Sequence, residues 1–88
     1  MEILFERSFE RDLKKVRDKR LLKQVRNVIQ QVEAAPGLSE IRNLKKLQGF
    51  ESYYRIRVGA YRIGIELSEG KAIFVRLLAR KDIYRYFP

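Results

Sequence analysis

The chain has 88 residues, with 20 Lys and Arg against 11 Asp and Glu, a net charge of +9, and neither cysteine nor histidine. This length fits one domain with one modest core, and the missing thiols and imidazoles exclude disulfides and the commonest metal sites. No apolar run approaches the roughly 20 residues of a membrane-spanning helix, and the acidic start is unlike a signal peptide. We therefore expect a single domain over residues 1–88, cytoplasmic, without a cofactor or metal.

The positive charge indicates a polyanionic partner, with nucleic acid as the leading candidate. The excess is concentrated in the second half, where residues 45–88 carry ten basic and four acidic groups, against ten and seven in residues 1–44. In the first half the basic residues fall within helical patterns, where such charges most often form a solvated face. The arginines of the second half need another explanation.

The start of the chain predicts a strand followed by a helix. "EILFER" places Ile3 and Phe5 on one side of a short strand. Ser8 is a candidate cap for the next helix, in which apolar residues recur at helical spacing from Phe9. The segment "DKR", beginning at Asp18, is typical of a tight turn or cap that leads into a second helix.

The second helix has the clearest pattern in the sequence. Its apolar stripe recurs every three or four residues. The members of the stripe are Leu21, Val25, Val28 and Val32. Pro36 and Gly37 are expected to stop the helix. The two helices should therefore form a hairpin.

The rest of the chain predicts a sheet, because the apolar period changes from 3.6 to 2 after a connector that ends near Leu47. The segment "YYRIRVGAYRIGIEL" predicts two antiparallel strands joined by a tight turn at Gly59 and Ala60. A last strand from about Lys71 to Ala79 and a short C-terminal helix follow. The predicted fold class is α+β, β-α-α-β-β-β, with the helical hairpin packed on one face of a small, mainly antiparallel sheet.

The strand alternation predicts a basic surface on the sheet face away from the helices. Tyr53 and Phe74 are expected among its arginines. Those arginines are Arg55, Arg57, Arg62, Arg76 and Arg80. Because clustered like charges cost stability unless an anion relieves them, a phosphate backbone is the natural counterpart.

Three segments carry a resemblance to a known family: "KKLQG", "YYRIRVGAYRIGIEL" and "RLLARKDIYRYF". They resemble the RelE/ParE superfamily of toxin–antitoxin toxins, on its RelE side, and the resemblance covers nearly the whole chain. The hairpin at 54–65 and the closing "RKDIY" at 80–84 are the most specific parts. The resemblance implies an endoribonuclease that enters the ribosomal A site, cuts mRNA there, and is held inactive by an antitoxin encoded by a neighbouring gene.

Carried over motif by motif, the resemblance divides the candidate residues into two groups. Catalytic roles are implied for Arg62, Arg80 and Tyr84. Roles in RNA binding are assigned to Arg55, Arg57, Lys45, Lys46, Arg76 and Lys81. The sequence departs from the family at Ala79, where many relatives have histidine, so an imidazole mechanism is excluded.

The chemistry can also be derived from the residues. RNA is cleaved without a metal ion when its own 2′-hydroxyl attacks the adjacent phosphate, leaving a cyclic phosphate and a 5′-hydroxyl. Preplaced guanidinium groups would stabilise the charge that builds on the phosphate oxygens. Arginine is a poor proton carrier, so Tyr84 is the candidate for proton transfer. The alternative for Tyr84 is packing of the C-terminal helix.

Two other functions stay open. A ParE-type inhibitor of DNA gyrase would have the same fold without nuclease activity. A non-catalytic module that binds RNA or the ribosome would need the basic surface but no proton donor. The full basic set together with Tyr84 favours the nuclease.

Overall fold

Five strands form one sheet in the order β1-β5-β4-β3-β2 in the computed structural model, which describes residues 1–88. The elements in chain order are β1 (Glu2–Phe5), α1 (Arg7–Lys14), α2 (Lys19–Ala34), a 3₁₀ turn (Leu38–Glu40), β2 (Leu44–Lys46), β3 (Tyr53–Val58), β4 (Tyr61–Ser68), β5 (Lys71–Ala79) and α3 (Arg80–Tyr86). β1 pairs with β5 in parallel, and all other pairs are antiparallel. The predicted α+β class is confirmed. None of the helices has the length and apolar character needed to span a bilayer.

The strand β2 was not predicted from the sequence. Its three residues lie in the segment interpreted as a connector. A strand of three residues is too short to show an alternating pattern. Leu44 lies opposite Ile56 and Lys45 lies opposite Arg55. β2 therefore extends the sheet at the edge next to the predicted arginines.

The two helices form the predicted hairpin. The Asp18 carboxylate accepts hydrogen bonds from the backbone N–H groups of Arg20 and Leu21 at 2.9 and 3.3 Å, which confirms it as the cap of α2. The helix ends at Ala34, ahead of Pro36, as expected. Ser8 is not a cap, because its hydroxyl donates to the carbonyl of Val75 at 2.6 Å.

The main core lies between the helical hairpin and one sheet face. It contains the stripe of α2 and the apolar side chains of β3, β4 and β5. Its fully buried members are Phe9, Val25, Val32, Ile56, Ile63, Ile65, Ala72 and Phe74. The rings of Phe9 and Phe74 meet edge to face at 5.4 Å. The prediction that Phe74 lies among the arginines is therefore wrong.

A β-bulge at Val75 explains this error. Ile65 lies opposite Phe74 and Gly64 lies opposite Arg76, so Val75 is an extra residue in β5. The bulge shifts the alternation by one position. Phe74, before the bulge, and Leu77, after it, therefore both point into the main core, whereas a strict period of two places them on opposite sides.

The helix α3 covers part of the other sheet face through a second, smaller core of Leu47, Ile83 and Phe87. The Tyr53 ring lies edge-on to the Phe87 ring, with the centroids 5.6 Å apart. A Cβ atom on Gly64 would lie 2.7 Å from the Phe87 ring, so only glycine allows α3 to approach this closely. The sheet face away from the helical hairpin is thus only partly open.

Side chains of α1 close the edge of β5 where β1 ends. The parallel pairing stops at Phe5 opposite Phe74. Beyond it, the Asp12 carboxylate accepts a hydrogen bond from the Leu77 N–H at 3.0 Å. The same carboxylate is paired with the Arg76 guanidinium at 2.7 and 3.1 Å. Asp12 therefore pairs an N–H group that would otherwise be left without a partner at this edge of the sheet.

Candidate active site

Four arginines converge on the sheet face that carries α3. Arg57 lies directly opposite Arg62 on the neighbouring strand, and Arg55 is on the same side of β3. Arg80 begins α3, and its backbone N–H donates to the Ala60 carbonyl at 2.9 Å. We call these four residues with Tyr84 the arginine surface. The structure thus brings four of the five predicted arginines together.

Arg62 lies at the centre of the arginine surface and is only 8% exposed. Its Nη1 donates to the carbonyls of Gly59 and Tyr61, both at 2.9 Å, and it has no carboxylate partner. Burial lowers the pKa of Arg62, and the charges of Arg55, Arg80 and Arg57 lower it further. A bound anion would oppose all of these effects, because it would stabilise the charged guanidinium.

Tyr84 faces outward from α3. Its side chain is 61% exposed, whereas Ile83 and Phe87 of the same C-terminal segment are buried. The Tyr84 hydroxyl accepts a hydrogen bond from Nε of Arg55 at 3.3 Å. The phenol therefore lies at the arginine surface and is open to a ligand, while its neighbours pack the helix.

Tyr84 separates two depressions that contain the predicted lysines. One, of about 420 Å³, is lined by Lys45, Lys46, Leu47, Gln48, Phe50, Tyr84 and Phe87. The other, of about 540 Å³, is lined by Ala60, Ala79, Arg80, Lys81 and Tyr84. Basic residues thus lie on both sides of the phenol, as a chain of phosphates crossing it would require.

Arg76 does not join this group. Its guanidinium is held by the Asp12 carboxylate at the edge of β5, and this is the structure's single salt bridge. The hydrogen bond that Arg76 donates to the Asp12 carboxylate raises the pKa of Arg76. The prediction that Arg76 shares one surface with the other four arginines is wrong, because the Asp12 carboxylate holds its guanidinium at the edge of β5.

Asn43 is a residue of the site that the sequence analysis missed. Its backbone carbonyl accepts hydrogen bonds from Nη1 of Arg55 at 3.3 Å and from the N–H of Arg57 at 3.2 Å. Its side-chain oxygen accepts from Nη2 of Arg57 at 3.3 Å. Asn43 has a φ of 63°, a conformation that asparagine tolerates better than most residues. Asn43 therefore positions two arginines at once, and the only signal in the sequence was an asparagine before an apolar residue.

Comparisons with known proteins agree with this fold. A family model described as the ParE toxin of the type II toxin-antitoxin system, parDE, matches residues 3–84. The chain is 43% identical to Toxin RelE3 of Methanocaldococcus jannaschii over 89 residues, with 100% of each chain covered.

Solved structures give the same result. The RelB-RelE antitoxin-toxin complex from Methanococcus jannaschii matches with a TM-score of 0.80 and 42% identity, covering 97% of this chain and 99% of the other. The RelBE2 toxin-antitoxin complex of Mycobacterium tuberculosis matches with a TM-score of 0.62 and 25% identity, covering 90% and 96%. The YoeB dimer of Staphylococcus aureus, at 17% identity and a TM-score of 0.66 over 91% and 97%, shares the fold. The chain therefore belongs to the RelE/ParE superfamily of type II toxin–antitoxin toxins, among the members of RelE type.

Proposed function

We propose that this toxin is a ribosome-dependent endoribonuclease that cuts mRNA in the A site by 2′-hydroxyl attack, without a metal ion, and so inhibits translation. The observation that carries the proposal is the contact between Tyr84 and Arg55 at 3.3 Å, beside the buried Arg62. A proton carrier lies there among cations that have no acidic partner in the protein. This combination suits a reaction in which a phosphate gains charge and a proton moves.

The residues of the arginine surface have different roles in this reaction. As the bond between the 2′-oxygen and phosphorus forms and the bond from phosphorus to the 5′-oxygen breaks, Arg62 and Arg80 stabilise the charge on the phosphate oxygens. The 2′-hydroxyl loses a proton and the 5′-oxygen gains one, and Tyr84 takes part in this transfer. Arg55 and Arg57 hold the neighbouring phosphates, together with the lysines of the two depressions.

The ribosome completes the site. Tyr84 is exposed, and the chain has no histidine to form an acid–base pair with it. A ribosome that holds the message in a fixed geometry would supply the orientation that this small surface lacks. We therefore expect purified toxin to cut naked RNA poorly.

A cognate antitoxin is the second partner in this proposal. Two relatives of known structure are in complexes with antitoxins, RelB-RelE and RelBE2. The net charge of +9 favours an acidic antitoxin segment that lies across the helices and the arginine surface. Association should then be fast at low salt and slower at high salt.

Primer extension on mRNA in a translating extract tests the proposal. The parental protein should produce discrete cuts inside codons, whereas Tyr84→Phe should produce few. The same message without ribosomes is the matched control. Equal cutting of free and ribosome-bound message would contradict the dependence on the ribosome.

A ParE-type gyrase inhibitor is the second candidate, because the matching family model is that of the ParE toxin. It would leave the message intact and trap cleaved DNA. The same extract, supplied with supercoiled plasmid and gyrase, separates the two functions in one experiment.

A further inference from the structure

A polar groove lies between α2, the residues just before β2 and the end of β3, with a volume of about 550 Å³. This volume is within the roughly 300–1,000 Å³ usual for ligand sites. One wall is a stripe of carboxamides on α2, formed by Gln24, Asn27 and Gln31, and Asn43 lies across from it. The groove thus collects four of the six asparagines and glutamines in the chain.

The rest of the lining gives the groove its chemical character. Two guanidinium groups, those of Arg42 and Arg57, line it, and no aspartate or glutamate does. Val28 and Val58 contribute the apolar surface. Carboxamides both donate and accept hydrogen bonds, so they can pair with the edge of a nucleobase, while guanidinium groups bind phosphate. An RNA nucleotide combines both of these features.

The groove is continuous with the arginine surface. Arg57 belongs to both, and Asn43 holds it at 3.3 Å. Gly59 also lines the groove, and its carbonyl holds Arg62 at 2.9 Å. The side-chain oxygen of Gln24 is 3.8 Å from the position of a Cβ atom on Gly59. RNA on the arginine surface could therefore place its next nucleotide in the groove.

We propose that this groove binds one unpaired nucleotide of the message next to the cleaved bond and recognises its base through the carboxamides. The inference rests on the proposed function and adds a specificity subsite to it. The nucleotide must be unpaired, because only then are its base edges free to meet protein groups. The carboxamide wall would determine which codons are cut, and the arginine surface would do the cutting.

The test compares Gln24→Ala/Asn27→Ala/Gln31→Ala with Gln30→Ala. Gln30 is an exposed glutamine on the same helix that does not line the groove. Cut positions on programmed ribosomes are mapped by primer extension. In the triple variant the ratio between the most and least favoured positions should fall about tenfold, the discrimination that one good carboxamide–base pair supplies. An unchanged ratio in the triple variant overturns the proposal, as does an equal change in Gln30→Ala.

Two fallback experiments cover the cases in which the triple variant unfolds or the parental protein does not cleave. Alanine favours the helix, so the triple variant should melt close to the parental temperature. If it unfolds, the single variant Gln24→Glu takes its place, because it keeps the size of the side chain and adds a negative charge. Cut positions that stay unchanged in Gln24→Glu would then overturn the proposal. If the parental protein cuts no message at all, the proposed function fails instead. Binding of labelled single-stranded RNA of mixed sequence then tests the groove, since equal binding by the parental and triple-variant proteins would overturn it.

Discussion

Two arginines on neighbouring strands, Arg62 on β4 and Arg76 on β5, have opposite surroundings. Arg76 has a carboxylate partner, Asp12, at 2.7 Å, and this hydrogen bond raises the pKa of Arg76. Arg62 has only backbone carbonyls, and burial together with three other arginines lowers the pKa of Arg62.

The difference separates an arginine whose charge is compensated inside the fold from one whose charge is not. A guanidinium paired with a buried carboxylate has its counter-charge inside the fold, and removing it leaves that carboxylate uncompensated. A buried guanidinium surrounded by like charges has no such partner and is stabilised by an external anion. The predictions below test this distinction.

Cleavage should show the largest effect. Arg62→Ala should slow single-turnover cleavage on programmed ribosomes by about 10²-fold or more, because it removes a donor to the developing charge. Tyr84→Phe should slow cleavage strongly while ribosome binding is retained, because only the hydroxyl is lost. Arg76→Ala is the matched control and should cleave close to the parental rate below its melting temperature. Parental cleavage by Tyr84→Phe would show that the phenol has no part in proton transfer.

The free energy of unfolding should be lowered more by Arg76→Ala than by Arg62→Ala, the reverse of the order expected for cleavage. Arg76→Ala should lower the free energy of unfolding by about 2 kcal/mol, because the nearly buried Asp12 carboxylate keeps only the Leu77 N–H as a partner. Arg62→Ala should cost less stability, because relief of the repulsion from the neighbouring arginines offsets the loss of its hydrogen bonds to two backbone carbonyls. Urea denaturation of both variants measures this. The distinction between the two arginines is wrong if Arg62→Ala costs more stability than Arg76→Ala.

Substitution of Asn43 should have a smaller effect than the substitutions above, and the effect should be on ribosome binding. Asn43→Gly keeps the backbone conformation at positive φ and the carbonyl that binds Arg55 and Arg57, but it removes the side-chain contact to Arg57. Binding of the toxin to programmed ribosomes should weaken by about fivefold, as expected for one lost hydrogen bond of about 1 kcal/mol.

A double-mutant cycle with Arg57→Ala isolates this contact. The combined variant should bind little worse than Arg57→Ala alone, because the two residues act through one interaction. Fully additive losses would show that Asn43 does not act through Arg57.

Inorganic phosphate should have the smallest effect. Phosphate should raise the melting temperature by a few degrees over sodium chloride of equal ionic strength, because it binds the folded state at the unpaired arginines. Arg62→Ala should lose most of this increase, and Arg76→Ala should keep it. Equal increases in the two salts would indicate screening alone.

The fold was largely predictable because the apolar patterns were long and regular. The stripe of α2 and the alternation of β3 and β4 gave the correct buried faces, as Val25, Ile56 and Ile63 show. Two features of the fold could not be predicted from local patterns. The three residues of β2 are too few to form a pattern, and the bulge at Val75 is set by pairing with β4, which the local sequence does not reveal.

The candidate site was predictable only in part. Alternation placed Arg55, Arg57 and Arg62 on one face, because the hairpin that carries them is regular. The same rule misplaced Arg76, since the partner that redirects it lies 64 positions away on α1. The contacts of Asn43 and the carboxamide groove are formed between distant segments of the chain, and no local sequence pattern predicts such contacts.

Gly64 makes the arginine surface sensitive to a single methyl group. A Cβ atom there would lie 2.7 Å from the ring of Phe87, which anchors the helix that carries Tyr84. The main core on the opposite face contains none of these residues. Substitution of Gly64 by alanine would therefore displace α3 and leave the sheet and the main core intact. The product would be a folded but non-cleaving protein, which a host cell could produce in quantity without the arrest of translation that the proposed activity would impose.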